Sequence, residues 1–126
     1  MSKENLSFGK LGENLAADFL LSEGYKIIAR NFRTKLGEID IIARDKGVIC
    51  FIEVKSRSSL KFGLPQEAIS KLKQRQITKV ALKFLKENKL LNDFARFDVV
   101  TILSIGGKPK IDLIKNAFEL DARFNY

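Results

Sequence analysis

The chain contains no histidine and a single cysteine, Cys50, among its 126 residues. Without histidine there is no Ser-His-Asp or Cys-His catalytic system, no histidine-ligated zinc site and no nuclease mechanism that uses an imidazole base. One cysteine excludes an intramolecular disulfide and a thiolate zinc cluster, and it fits a reducing compartment. Any catalysis by this chain must therefore use carboxylates and lysines.

Long apolar stretches and phosphate-binding glycine loops are also missing. No run approaches the roughly 20 apolar residues of a membrane-spanning helix, and the opening residues MSKENLSFGK lack the apolar core of a signal peptide. Neither GxGxxG nor GxxxxGK[ST] occurs. We therefore expect a cytoplasmic protein without a membrane-spanning helix and without a glycine-rich nucleotide loop.

The charge balance is strongly basic. Lysine and arginine number 23 against 15 acidic residues, which gives a net charge of +8. With 45% hydrophobic and 30% charged residues, the composition is that of an ordinary globular protein, and the length predicts one domain over residues 1–126. The excess positive charge favours a polyanionic partner, nucleic acid first and an anionic membrane surface second.

Hydrophobic periodicity predicts two helices and five strands. An apolar helical face precedes Gly24, three runs rich in β-branched residues follow, and Pro65 suits the first turn of a second helix. The last dozen residues receive no assignment. The predicted elements are a helix over 9–23, strands over 25–33, 38–44 and 48–57, a helix from Pro65 to about Asn88, and strands over 95–104 and 110–114.

The lengths of the connections predict the topology. Short turns make the first three strands an antiparallel meander and pair the last two strands as a hairpin. The long helix between the third and fourth strands is a crossover, as parallel neighbours require, and it should be right-handed. The predicted fold class is α/β: a mixed five-stranded sheet in the order 1-2-3-4-5, with strands 2 and 5 opposite to the rest and helices on its faces.

Charged residues interrupt the second and third predicted strands. Because side chains alternate along a strand, Glu38 and Asp40 share one face of the second strand, and Glu53 and Lys55 share one face of the third. Whether these faces coincide depends on the turn between the strands.

A two-residue loop at Lys46-Gly47 would oppose Asp45 to Val48, Asp40 to Glu53, and Glu38 to Lys55. A four-residue loop keeps this pairing, whereas a three-residue loop slips the register by one and sends the carboxylates to opposite faces unless a bulge corrects it. We favour the two-residue loop, since directly opposed carboxylates make sense as a binding site.

Adjacent carboxylates on a half-buried sheet repel each other and lose hydration. A divalent cation relieves both costs, and oxygen ligands suit Mg²⁺ or Mn²⁺ rather than zinc. Lys55 would lie beside the metal, where it could orient a water molecule or stabilise a phosphate, as metal-assisted phosphodiester hydrolysis requires. The alternative is an ion-pair ladder between Glu53 and Lys55 on a solvated face.

Each predicted helix has a charged residue on its apolar side. Glu13 lies on the apolar side of the first helix, and Lys73 lies in the apolar stripe of the second helix. A charged group in such a position needs a partner of opposite charge. The alternatives are that Glu13 caps or pairs at the helix flank, and that Lys73 extends past its neighbours into solvent.

Five stretches resemble the YraN family of small bacterial proteins: GKLGENLAADFL, GYKIIARNFRTKLGEIDIIARD, FIEVKSR, AISKLKQRQI and RFDVVTI. They cover nearly the whole chain in the family's order. A helix with a glutamate, then an acidic residue on one strand and E-x-K on the next, is similar to the PD-(D/E)XK nuclease superfamily, especially the archaeal Holliday-junction resolvases. The resemblance implies a restriction endonuclease-like α-β-β-β-α-β-β core.

The same resemblance implies roles for individual residues. Glu13, Asp40 and Glu53 fall on the metal positions of the superfamily. Asp40, Glu53 and Lys55 fall on its catalytic positions. Gln74 lies on the second helix, where some relatives carry a supporting catalytic glutamine.

The predicted function is that of a Mg²⁺- or Mn²⁺-dependent DNA endonuclease, with branched or flapped DNA as candidate substrates. DNA ranks ahead of RNA as the partner, and a homodimer is left open. The alternatives are a non-catalytic nucleic-acid-binding module of the same fold in a DNA repair or recombination assembly, and a small basic partner of a repair or ribosomal assembly. The predicted nucleic-acid contacts, each with a merely solvated surface charge as its alternative, are Arg33, Lys35, Arg57, Lys61 and Lys73.

Overall fold

The computed structural model describes residues 3–57, 69–105 and 107–119 of the chain. None of the helices within these ranges is long and apolar enough to cross a membrane. The elements follow in the order α1 (Lys3–Ser22), β1 (Lys26–Thr34), β2 (Gly37–Asp45), β3 (Val48–Arg57), α2 (Lys71–Glu87), β4 (Ala95–Ile105) and β5 (Lys108–Phe118).

The five strands form one mixed sheet in the order β1-β2-β3-β4-β5. Only the β3–β4 pair of this sheet is parallel, and the other three neighbouring pairs are antiparallel. Since α2 lies in the connection between β3 and β4, it forms the crossover that a parallel pair needs. The predicted fold class, strand order and strand directions are confirmed.

A two-residue turn joins β2 to β3. Asp45 opposes Val48, and the two turn residues, Lys46 and Gly47, have φ angles of 50° and 86°. Positive φ at both central positions is typical of the turns whose twist matches that of a β-hairpin, and glycine adopts this conformation without a steric cost. The two-residue loop and its register over residues 41–45 and 48–52 are therefore confirmed, and the three-residue alternative is excluded.

The helices cover opposite faces of the sheet. On β3, Cys50 and Ile52 belong to the core that packs against α1, whereas Ile49 and Phe51 belong to the core that packs against α2. The alternation continues along the strand, so Glu53 lies on the α2 side. The position of Glu53 directly beyond a fully buried strand segment explains why its carboxylate is withdrawn from water.

The second helix begins later than predicted. Ser70 has an extended conformation, with φ −64° and ψ 160°, and its hydroxyl accepts a hydrogen bond from the Lys73 N–H at 3.1 Å. Serine in this N-cap position satisfies one of the free amides of the first turn, so the helix starts at Lys71. A continuous helix from Pro65 is therefore wrong, and Pro65 itself lies outside the described residues.

The last strand is longer than predicted. β5 continues to Phe118 past a register shift against β4 between Phe97 and Val99, and Asn116 has a φ of 54° at this irregularity. Beyond it, Phe118 stacks on Phe97 with ring centroids 4.7 Å apart. A bulge breaks the alternation on which the prediction relied, so the periodicity ended before the strand did.

Candidate functional site

The sheet forks at the carboxylates. The β2–β3 ladder ends at the pair Ile41–Ile52, although β1–β2 and β3–β4 pairing continues beyond this level. If the β2–β3 register is extended by one residue beyond this pair, Asp40 lies opposite Glu53. At this point the backbone N–H of Val54 donates to Asp40 Oδ2 at 2.8 Å, so a side chain replaces the next ladder bond. We call this opening between β2 and β3 the fork.

The carboxyl groups of Asp40 and Glu53 lie close enough in the fork for each to change the pKa of the other. Only 7% of the Glu53 surface is exposed. Burial, followed by the charge of Asp40, raises the pKa of Glu53 to about 7. Burial also raises the pKa of Asp40, against the opposing effect of the Val54 N–H. The pair therefore resists carrying two negative charges near neutral pH unless a cation compensates them.

Two lysines approach the same carboxylate. Lys55 Nζ lies 3.9 Å and Lys73 Nζ lies 4.0 Å from Glu53 Oε1. Lys55 comes from the same strand as Glu53, and Lys73 comes from the first turn of α2. The structure thus brings together four sequence-predicted residues, and it gives Lys73 a carboxylate partner rather than solvent alone.

Glu13 reaches the fork from α1. A Cβ atom at the preceding Gly12 would overlap the hydroxyl of Ser56 on β3, so glycine allows the helix to approach the strand closely. Glu13 is partly exposed, and its pKa is raised by burial and then by the charges of Asp40 and Glu38. Its side chain therefore belongs to the acidic surroundings of the fork.

Asn31, on β1 beside the fork, is a residue that sequence reasoning missed. With its amide nitrogen assigned toward the carboxylates, it donates to Glu13 Oε1 at 2.8 Å and to Glu38 Oε1 at 3.1 Å. Its φ is 52°, a left-handed conformation that asparagine tolerates better than most residues. An asparagine inside a β-branched run was the available signal, although it identifies no partner.

Glu38 does not lie opposite Lys55 as predicted. The ladder between β2 and β3 ends before Glu38, and its Oε1 instead lies 3.2 Å from Nε of Arg33. The physical reason is the fork itself, since the pairing of the two strands ends at Ile41 and Ile52. The charge of Arg33 is therefore balanced by a carboxylate from the neighbouring strand.

The other predicted site residues are less closely grouped. Gln74 donates to the backbone carbonyl of Ile69 at 3.0 Å, a contact at the start of α2 and not with the carboxylates. Lys35 is exposed in the β1–β2 turn. Nε of Arg57, at the end of β3, is buried without a hydrogen-bond partner in the described part of the chain. Lys61 lies outside the described residues.

The residues of the fork fit a partly solvated divalent cation. Within the ranges that the structure describes, no three Asp, Glu, His or Cys side chains form a group that could enclose a metal ion. Mg²⁺ seldom needs such a cage, because one or two carboxylates commonly hold it while water and substrate oxygens complete the shell. Asp40 and Glu53 supply two neighbouring carboxylates. Glu13 as a third ligand stays a prediction.

A second charged cluster lies at the opposite end of the sheet, and sequence reasoning also missed it. Arg96 Nε donates to both oxygens of Asp98 at 3.0 and 3.1 Å. Its Nη2 donates to Asp45 Oδ2 at 2.8 Å and to the Tyr25 hydroxyl at 2.9 Å. We call these four residues the Arg96 network. Asp98 is fully buried, so the network neutralises an anion within the sheet.

These observations define an α/β protein with a carboxylate and lysine site in a forked mixed sheet. The model of a family described as "Uncharacterised protein family UPF0102" matches residues 12–102. The chain therefore belongs to the UPF0102 family, which confirms the predicted relationship to YraN-like proteins. The matched range contains both the fork and the Arg96 network.

Individual relatives are similar over almost their full length. A UPF0102 protein of Trichlorobacter lovleyi is 49% identical over 122 residues, which cover 95% of this chain and 96% of the relative. One from Geobacter metallireducens is 51% identical over 120 residues, with 95% and 98% covered. One from Caldicellulosiruptor bescii is 54% identical over 117 residues, with 87% and 95% covered.

Proposed function

We propose that this protein is a Mg²⁺- or Mn²⁺-dependent endonuclease that hydrolyses phosphodiester bonds in DNA, with branched or flapped DNA as candidate substrates. The observation that carries the proposal is the proximity of the Asp40 carboxyl group to the buried carboxyl group of Glu53, with Lys55 Nζ 3.9 Å from Glu53. Such a pair is costly to keep in a protein that has no use for it.

Each residue of the fork has a distinct part in this reaction. Asp40 and Glu53 would hold the cation, which when bound activates water and neutralises charge on the phosphate. The Val54 N–H fixes the Asp40 carboxylate at 2.8 Å, so this ligand is oriented in advance. The Lys55 ammonium group orients the attacking water or stabilises the negative charge that develops on the phosphate oxygens.

Positive charge near the fork supports a phosphate backbone as the ligand. Lys35 directly follows β1 and Arg57 is the last residue of β3, and these two strands run in the same direction, so both residues lie toward the fork end of the sheet. Lysine and arginine bind nucleic acid mainly by displacing its condensed counterions, without reading sequence. This arrangement favours recognition of DNA by shape.

A non-catalytic nucleic-acid-binding module is the second candidate. It is favoured by one observation: Lys55 and Lys73 both lie within 4.0 Å of Glu53. Two ammonium groups can balance the carboxylate charge without any metal ion. In this case the fork would be a charged support for a basic surface, and nucleic acid would bind equally well with and without divalent cations.

A cleavage assay separates the two candidates. Linear, flapped and four-way DNA are incubated with the purified protein in Mn²⁺, Mg²⁺ or EDTA. An endonuclease cleaves at least one substrate only with metal, and Lys55→Ala should slow cleavage by about 100-fold or more. Equal binding in all three conditions without cleavage would support the binding module instead.

Asp40→Asn tests the site itself. We expect the variant to lose Mn²⁺ binding and cleavage but to bind DNA as well as or better than the parent, because a negative charge that faces the phosphates is gone. Asp112→Asn, the same change at an exposed position on β5, is the matched control. Undiminished Mn²⁺ affinity in Asp40→Asn, measured by calorimetry, would place the metal elsewhere.

A further inference from the structure

The two lysines at Glu53 differ in how they are held. Lys55 is two residues from Glu53 on a strand within the sheet, with its side chain 30% exposed. Lys73 comes from α2, and its side chain is 37% exposed against 8% for Glu53. Lys73 therefore reaches from a solvated helix surface to a carboxylate that is almost fully buried.

The contact between Lys73 and Glu53 is a loose one. Its 4.0 Å separation exceeds the roughly 2.7–2.9 Å of a charge-assisted hydrogen bond. Even so, the charge of Lys73 lowers the pKa of Glu53 more than that of Lys55 does. Lys73 thus stabilises the ionised carboxylate by charge, without a tight bond that would hold its ammonium group in place.

Lys73 and a divalent cation would compete for the same carboxylate. A cation held by Asp40 and Glu53 would place two positive charges beside the ammonium group, and like charges at this range repel in a partly buried site. The first turn of α2 adds to the repulsion, since it contains Lys71 and Lys73 but no acidic residue at the positive end of the helix dipole. An anion at this position would relieve all of these repulsions.

We propose that Lys73 is a positioning residue that couples metal binding to nucleic-acid binding. In the free protein its ammonium group pairs with Glu53 and lowers the affinity of the fork for divalent cations. When a phosphate of the nucleic acid binds, Lys73 pairs with it, and Glu53 becomes available to the cation. The inference rests on the proposed function, because that function puts both ligands at the fork. Linkage requires that the metal also strengthens nucleic-acid binding by the same factor.

Calorimetric titration with Mn²⁺ tests this coupling directly. The parent protein, Lys73→Gln and Lys71→Gln are each titrated alone and in the presence of a short phosphorothioate DNA duplex, which resists hydrolysis. Lys71 is exposed on the same helical turn. Its replacement removes an equal charge but leaves the pair between Lys73 and Glu53 in place. Lys73→Arg keeps the charge and should behave like the parent.

Coupling predicts that the duplex raises the Mn²⁺ affinity of the parent about tenfold, within the usual range for linked sites. Lys73→Gln should bind Mn²⁺ several-fold more tightly than the parent without DNA, and the duplex should then add less than about twofold. Lys71→Gln should retain the full effect of the duplex. Circular dichroism of each variant confirms that it is folded.

Two results would overturn the coupling alone. One is equal Mn²⁺ affinity of Lys73→Gln and the parent without DNA, and the other is an undiminished duplex effect in Lys73→Gln. A parent protein with no Mn²⁺ binding that depends on Asp40 would overturn the proposed metal site, and the coupling with it. The two kinds of failure are therefore distinguishable in one set of titrations.

Discussion

Glu53 is the residue whose surroundings conflict most with its charge. It lies beyond a buried strand segment, near another carboxyl group, and its pKa is raised to about 7 by burial and by Asp40. An ordinary glutamate is fully ionised at this pH. Small changes of pH around neutrality should therefore change the charge of the fork.

The first consequence concerns metal binding. Because a cation must displace the proton from Glu53, Mn²⁺ affinity should fall as the pH drops below about 7, by up to about tenfold per unit. Calorimetry between pH 8 and pH 6 measures this dependence. Glu53→Gln lacks this ligand, so it should lose most of the Mn²⁺ binding at every pH in this range. A constant affinity over this range in the parent would contradict the raised pKa.

The second consequence concerns the stability of the metal-free protein. The folded state keeps a proton on Glu53 that the unfolded state loses above its ordinary pKa, so the free energy of unfolding should fall as the pH rises from about 4.5 to about 7. Glu53→Gln should remove this loss and be more stable than the parent at pH 8, by up to about 3 kcal/mol.

Urea unfolding at pH 5 and pH 8 measures the difference. The advantage of the variant should be small at pH 5, where Glu53 is protonated in the folded parent. An equal difference at both pH values would mean that Glu53 is ionised throughout. The pKa of Asp40 is also raised, so the two carboxyl groups titrate together. The stability difference between pH 5 and pH 8 that is assigned to Glu53 should then be smaller than one full proton would give.

Residue alternation predicted the central pair of the fork, but not all of its neighbours. Asp40, Glu53 and Lys55 follow from a period of two and a two-residue turn, both of which are local properties of the chain. Asn31 adopts a left-handed conformation that breaks the period, and Arg96 bonds to Tyr25 across 71 positions. Contacts of these kinds depend on the assembled sheet, so periodicity does not reveal them.

At the scale of elements, the packing of α1 against β3 is set by one position. Gly12 is buried on the helix, and the Ser56 hydroxyl occupies the space where a Cβ would stand. The Ser56 Cβ and Ile102 Cδ1 lie 3.5 and 3.7 Å from the same point. A small side chain at position 12 requires only that the Ser56 hydroxyl rotates away. A branched side chain at this position must displace β3 itself.

This difference gives a graded prediction for Gly12. Gly12→Val should destabilise the protein by about 2 kcal/mol or more through overpacking. Gly12→Ala should cost little, because the helix propensity of alanine offsets the shift of Ser56 by about 1 kcal/mol. Urea unfolding measures both, with Asp18→Val at an exposed site on α1 as the control for valine in a helix. Equal effects of Gly12→Val and Asp18→Val would refute the close approach.

Element boundaries were predictable where a single signal decided them. β3 begins and ends at its predicted residues, since a tight turn precedes it and its β-branched and aromatic residues favour a strand. The start of α2 was not predictable in this way. Both Pro65 and Ser70 favour the start of a helix, and the sequence does not say which of them prevails. The hydrogen bond from Lys73 N–H to Ser70 shows that capping decided the boundary.

At the scale of the whole molecule, the two ends of the sheet have different electrostatic character. Near the fork, carboxylates lie close together and basic side chains surround them. At the other end, the Arg96 network pairs its charges closely, and Arg96 lowers the pKa of Asp45 by hydrogen bonding. Unbalanced charge that could attract a polyanion is therefore expected at the fork end.

Salt dependence of DNA binding tests this asymmetry. Lys35→Glu combined with Arg57→Glu should weaken binding and flatten the slope of log affinity against log salt by about two units, since each phosphate contact contributes about 0.9. Lys26→Glu with Lys46→Glu makes the same charge change at the other end of the sheet and should leave the slope nearly unchanged. Fluorescence anisotropy over a salt series measures both. An equal effect of the two pairs would mean that only net charge matters.

The Arg96 network also bears on how the chain folds. Apart from the local Arg96–Asp98 pair, its bonds join positions 51 to 73 residues apart, so they require the closure of long loops, whereas the β2–β3 hairpin needs only a two-residue turn. We expect the hairpin in the folding nucleus and the network after the rate-limiting step. In stopped-flow experiments, Asp98→Asn should then speed unfolding about tenfold or more with folding nearly unchanged, and Ile42→Val on the hairpin should slow folding. The buried ion pairs would thus form last during folding and break first during unfolding, so they would set the kinetic barrier to unfolding.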